Sequence, residues 1–135
     1  MKIFRGKGMT LIEIMVATFV FTVALGALLG AITGTLSIIE TAREQTTAVF
    51  DLRNMMERIK ATAFSNTVSF FPNNVTDGPV NSYPAMLGGY TLSNEHITIS
   101  YTNVNSNPLE ITAALTWRDR YNRLHTASMS TFKTR

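Results

Sequence analysis

Three cations, one glycine and one carboxylate near the N-terminus have the spacing that could do chemistry. Lys2, Arg5 and Lys7 precede Gly8, and Glu13 is the only charged residue between Met9 and Ile39. Carboxylates are costly within membrane-length apolar runs, where they almost always pair or face the protein interior. Cutting the Gly8–Met9 bond would remove the three leader cations and expose a new one, the α-amino group of Met9. Gly8 has no side chain, so a protease can approach the backbone closely there. This order is not that of a secretory signal, whose cut follows the apolar run and discards it. Here the apolar run stays with the mature chain.

These residues resemble the prepilin signature of type IV pilins and type II secretion pseudopilins. The matching positions are Lys7-Gly8, then Met9-Thr10-Leu11-Ile12-Glu13 and the apolar run beyond. The resemblance implies cleavage between Gly8 and Met9 by a prepilin peptidase and N-methylation of Met9. It also implies that Glu13 pairs with the Met9 amine of a neighbouring subunit during assembly. The implied partners are other pilin or pseudopilin subunits, the peptidase, an inner-membrane assembly platform and the lipid bilayer. The implied location is the bacterial inner membrane, then a pilus or pseudopilus. Two positions depart from the family pattern: the first mature residue is Met9 rather than Phe, and Gly30 stands where many major pilins carry Pro. The modest C-terminal part, the lack of cysteine and the Trp117-Arg118-Asp119 segment are more similar to minor pilins and minor pseudopilins than to major ones.

The elements that must position these residues follow from periodicity. Ile14 to Ile39 is 26 residues without a charge, enough to span a bilayer with some tilt. Basic residues before the run place its N-terminus in the cytoplasm. Beyond Ile39 no breaker occurs, and Ala42, Val49, Leu52, Met56, Ile59 and Ala63 mark one helix face. The spacing predicts one helix from Met9 to about Phe64, with a membrane or filament-core half at 9–39 and an amphipathic half at 40–64. Gly26, Gly30 and Gly34 fall on one face of the first half, where they favour close helix packing or a soft helix. Residues 65–94 read as irregular connection, rich in Asn, Pro, Ser and Gly. Three strands are expected over 95–133, with Ile97, Ile99, Ile111, Leu115 and Trp117 on the apolar face. The fold class is therefore α+β: a long N-terminal helix packed on a small antiparallel sheet.

Composition narrows the function. The net charge of +3 comes from the leader; removing three of twelve cations leaves nine, equal to the nine acidic residues. A nucleic-acid reading built on the basic isoelectric point loses its support. Cysteine is absent, which excludes disulfides and thiolate sites. Asp77 with Asn73 and Asn74 reads as a turn rather than a cation site, and His96 and His125 as isolated structural residues. No catalytic motif, cofactor motif or metal-ligand spacing occurs, so the chain reads as a non-enzyme. Two readings remain: a filament subunit, or a single-pass anchored binding domain, residues 65–135, that does not polymerise. Glu13 favours the first, because a plain anchor gains nothing from it.

Overall fold

The computed structural model describes residues 10–135. Gly8 and Met9 therefore lie outside the described residues. The chain divides into two compact units, Met1–Glu40 and Thr41–Arg135.

Helix α1 spans Leu11–Ala61 and supplies the described part of the first unit. It is long and apolar enough to cross a membrane. Leu11, Met15, Phe19, Val23, Leu29 and Ile32 are all exposed, so the helix is apolar all round, as a membrane span is. Its polar side chains turn inward on the backbone. The hydroxyls of Thr18, Thr22 and Thr35 donate to carbonyls four residues back, at 2.8–3.0 Å. Such bonds leave little polar surface to be satisfied by lipid.

The second unit contains the end of α1, then α2 (Phe64–Phe70), β1 (Val75–Thr76), a 3-10 turn (Pro79–Asn81), α3 (Ser82–Leu87), β2 (His96–Tyr101), β3 (Leu109–Arg118) and β4 (Leu124–Lys133). The four strands form one antiparallel sheet in sequence order. Strand alternation sets its two faces. Leu109, Ile111, Ala113, Leu115 and Trp117 of β3 are buried with Ile97 and Ile99 of β2. The opposite face carries Thr98, Ser100, Thr112, Thr116, Ser128 and Ser130, none of them buried. One apolar face requires a cover, and α1 supplies it with Ala48, Leu52, Met55, Met56 and Ile59. This is the α+β arrangement expected from the sequence.

Four details differ from expectation. The helix stops at Ala61 rather than Phe64. Lys133 at the end of β4 donates to the carbonyls of Ile59 (2.6 Å), Lys60 (3.3 Å) and Thr62, satisfying the open end of the helix. Residues 65–94 are not all irregular: α2 and α3 form there, held by tertiary contacts that propensity does not report. Buried Thr67 of α2 bonds back to Ala63, and Tyr101 donates to the Phe71 carbonyl at 2.6 Å. The sheet has a fourth strand, β1, too short to show alternation. It is closed by Asn74 and Asp77 N–H groups donating to Ile99 and Ile97, and both donors have positive φ. Lastly, the covering face of α1 is rotated. Val49 is 49% exposed, while Ala48 and Met55 are fully buried.

Gly78 is where the turn needs glycine. Its φ is +71°, and a side chain there would collide with the Tyr83 ring.

Candidate functional site

Glu13 sits in the first turn of α1, and its carboxylate has a local partner. Glu13 Oε2 accepts from the Thr10 backbone N–H at 2.8 Å and from the Thr10 hydroxyl at 2.9 Å. The Glu13 N–H donates back to Thr10 Oγ1 at 3.3 Å. This reciprocal pair is a capping box, which satisfies two of the orphan donors at a helix start. The carboxylate also lies at the positive end of the helix dipole. Thr10 was not singled out by sequence reasoning, although the pattern Thr-x-x-Glu before an apolar run is its signal. The box uses the amide of Thr10, which remains an amide if Met9 becomes the first residue. The cap is therefore chemically compatible with the expected cleavage.

Around Glu13 the helix surface is apolar, formed by Ile12, Val16, Ala17, Val20 and Phe21. Glu13 is the one carboxylate on this surface. Further along α1 lie Gly26, Gly30 and Gly34. A Cβ built at any of them meets nothing within 4 Å. Nothing among the described residues therefore requires glycine at these positions. The structure brings Glu13 and the three glycines onto one element, while Gly8 and Met9, the expected cleavage and methylation positions, lie outside the described residues.

The second unit holds a polar chain that sequence reasoning did not assemble. Trp117 Nε1 donates to Glu44 Oε2 at 3.2 Å, joining β3 to α1. The Trp117 ring stacks on His125, with centroids 5.3 Å apart. His125 and the Arg123 guanidinium both meet Asp119 Oδ2, at 3.1 and 2.7 Å. Backbone N–H groups of Tyr121 and Arg123 donate to Asp119 Oδ1, each at 2.9 Å. Burial works against the Asp119 charge. The bonds from Arg123, His125 and Tyr121 outweigh it and hold the carboxyl well below the usual carboxylate range. Asp119 thus organises the turn between β3 and β4.

Asp77 plays the same part at the other edge. Its oxygens take the Tyr90 hydroxyl (2.6 Å), His96 Nδ1 (2.7 Å) and the Ile97 N–H (3.0 Å). Burial opposes its charge, but these bonds prevail and lower its pKa. Asn73 is engaged too, accepting from the Tyr101 N–H at 3.1 Å. These residues tie a turn to the sheet, as their sequence context indicated. Glu95 is buried. Burial pushes its carboxyl up, and the N–H groups of Leu92 and Thr91 on Oε2 only partly compensate.

Comparison with known proteins adds one match. Residues 4–29 fit the model of the prokaryotic N-terminal methylation motif. Neither the curated proteins nor the solved structures gave a match. The matched stretch contains Gly8, Met9, the Thr10–Glu13 cap and Gly26, and it ends inside the uncharged part of α1. The chain therefore carries, at residues 4–29, a prokaryotic N-terminal methylation motif.

Proposed function

We propose that this protein is a minor structural subunit of a type IV pilus or type II secretion pseudopilus. In this reading it is inserted in the inner membrane through α1, with residues 1–8 in the cytoplasm. A prepilin peptidase cuts between Gly8 and Met9, and Met9 is N-methylated. Glu13 then pairs with the Met9 amine of an adjacent subunit, which sets the register between two otherwise apolar helices. A single methyl group leaves that amine able to carry its positive charge. The observation that carries the reading is the methylation-motif match over residues 4–29, with Glu13 as the one charge in the following run.

A second reading is supported by the capping box. Because Thr10 already occupies Glu13, the carboxylate could serve only to start the helix of a plain anchor. Glu13→Gln separates the two. Gln also completes a capping box, so helix initiation survives while the charge is lost. The filament reading expects normal leader cleavage and normal membrane insertion of Glu13→Gln, with loss from sheared filaments in cells lacking a wild-type copy. Wild-type amounts of the variant in those filaments would remove the charge-pair mechanism and leave the anchor reading.

A further inference from the structure

We propose that the free edge of β4 is a docking site for an extended segment of another polypeptide, uncharged along its middle and acidic at its ends, which adds to the sheet as a further strand. The site lies wholly within the second unit, so it does not depend on the filament reading.

The two sides of the sheet are treated differently. On one side the outward backbone of β2 is covered. Asp77 takes both groups of Ile97: its Oδ1 accepts from the N–H at 3.0 Å, and its own N–H donates to the carbonyl at 2.7 Å. The Asn74 N–H donates to the Ile99 carbonyl at 2.8 Å, and Asn73 Oδ1 accepts from the Tyr101 N–H at 3.1 Å. On the other side β4 is outermost, and no such cover is present among the described residues. Which groups of β4 are open follows from the hairpin. The Asp119 N–H donates to the Arg123 carbonyl at 3.0 Å, which makes Asp119–Arg123 a hydrogen-bonded pair. Antiparallel pairs alternate between bonded and unbonded. Ala127, Met129 and Thr131 therefore bond β3, while the N–H and C=O groups of Leu124, Thr126, Ser128, Ser130 and Phe132 face outward. The Arg118 N–H, which donates to Ser93 and so away from β4, has the phase this requires.

The open edge also lacks the devices that block pairing, which are bulges, prolines and charges. Strand β4 pairs with β3 residue for residue from Leu124 to Lys133. It has no proline, and no Asp, Glu, Lys or Arg from Leu124 to Phe132. An incoming strand bonds such an edge through its backbone, and its side chains supply specificity. Here charge supplies it. The turn beside Leu124 carries Arg118, Arg120 and Arg123 against Asp119 alone, and the other end carries Lys133 and Arg135. Glu110, opposite Phe132, is occupied by the Thr102 hydroxyl at 2.7 Å. A second copy is disfavoured for the same reason. Antiparallel self-pairing centred on Ser128 sets Lys133 of each copy against Arg123 of the other, and like charges directly opposite destabilise a pair. Acidic ends on the incoming strand turn those positions into attractions. Between them, Thr126, Ser128 and Ser130 offer short hydroxyl side chains. Leu124 and Phe132, 63% and 65% exposed, gain cross-strand neighbours.

The experiment is residue-resolved amide exchange of the full chain in detergent micelles. The probe is a synthetic peptide of alternating Thr and Val with Asp at both ends, and a second peptide carries Lys in place of Asp. At about ten times the Kd of the acidic peptide, exchange at Thr126, Ser128 and Ser130 should slow about tenfold. Exchange at Ala127 and Met129, already bonded to β3, should not change. This alternation is read on the wild-type chain and needs no substitution. The acidic peptide should bind severalfold more tightly than the lysine peptide. That preference should vanish in about 1 M salt, where screening acts within about 3 Å. Arg120→Glu, which alters an exposed residue, should weaken binding of the acidic peptide about two- to fivefold. No protection, or equal protection at Ala127 and Met129, overturns the added strand. Equal affinity for the two peptides, or no effect of Arg120→Glu, overturns the acid-flanked partner. Protection of Thr126, Ser128 and Ser130 without peptide, together with a dimer in sedimentation, assigns the edge to a second copy and also overturns the proposal.

Discussion

The rotation of α1 on the sheet can be tested by a pair of truncations. Met55 is fully buried beneath the sheet, whereas Val49, which the hydrophobic stripe also marks, is 49% exposed. Removing a fully buried Met side chain costs about 2–5 kcal/mol, because the lost transfer energy is joined by a cavity. Trimming Val49 to Ala removes two methyl groups that are already half in solvent, so about 0.5–1 kcal/mol is expected. The second unit is about 95 residues, the size for which 1 kcal/mol moves the unfolding midpoint by about 4–8 °C. Met55→Ala should therefore lower the midpoint by about 8 °C or more, and Val49→Ala by about 2–8 °C. The assay is thermal unfolding of the full chain in detergent micelles, followed by the fluorescence of Trp117. That residue is the only tryptophan, and it reports on this interface because it bonds Glu44. Equal losses from the two variants, or a larger loss from Val49→Ala, would refute the helix register described above.

Three further outcomes are expected. Asp119 has a folded-state pKa below its ordinary unfolded value of about 4, so its contribution is complete above that value and is lost as the pH falls through it. Asp119→Asn should accordingly unfold at lower temperature at pH 7, with the gap to wild type closing below about pH 4; a gap constant down to pH 2 would contradict this. Gly30→Ala meets no atom within 4 Å among the described residues and gains about 0.8–1 kcal/mol of helix propensity, so circular dichroism in micelles should show an unchanged or more stable helix. If filament yield nonetheless falls, the glycine face packs against other subunits. Thr10→Ala removes the cap but keeps the Glu13 charge, so it should fray the start of α1 while sparing assembly more than Glu13→Gln does; the reverse order in sheared filaments would favour capping as the role of Glu13.

Much of the fold was legible because its signals are long. The uncharged run after Glu13 and the alternation of β3 span enough residues for period and composition to decide the element. The features missed are short or depend on partners distant in sequence. Strand β1 has two residues and exists because Asn74 and Asp77 can reach β2. Helix α2 has seven, five of them Ser, Thr, Val or Asn or otherwise weak formers flanked by Phe, and is held by Tyr101 and Thr67. The position of Met55 was missed because Val49 and Met55 lie on adjoining sectors of the helix, and only the sheet chooses between them. At the candidate site, Glu13 stood out as a lone charge, whereas its cap with Thr10 was hidden by the stronger pattern around it. Glu44 carried no local signal: it is an ordinary polar residue on a helix until Trp117, 73 positions later, folds onto it.

The N-terminus of the protein as it occurs in cells tests the central claim most directly. Intact-mass and N-terminal fragment spectra of the membrane and sheared fractions should show a chain beginning at Met9 with one added methyl group on its α-amine, and a Gly8→Leu precursor should remain uncut at full length. A wild-type chain that still begins at Met1, or one that begins beyond residue 30 with the apolar run removed, would contradict the account.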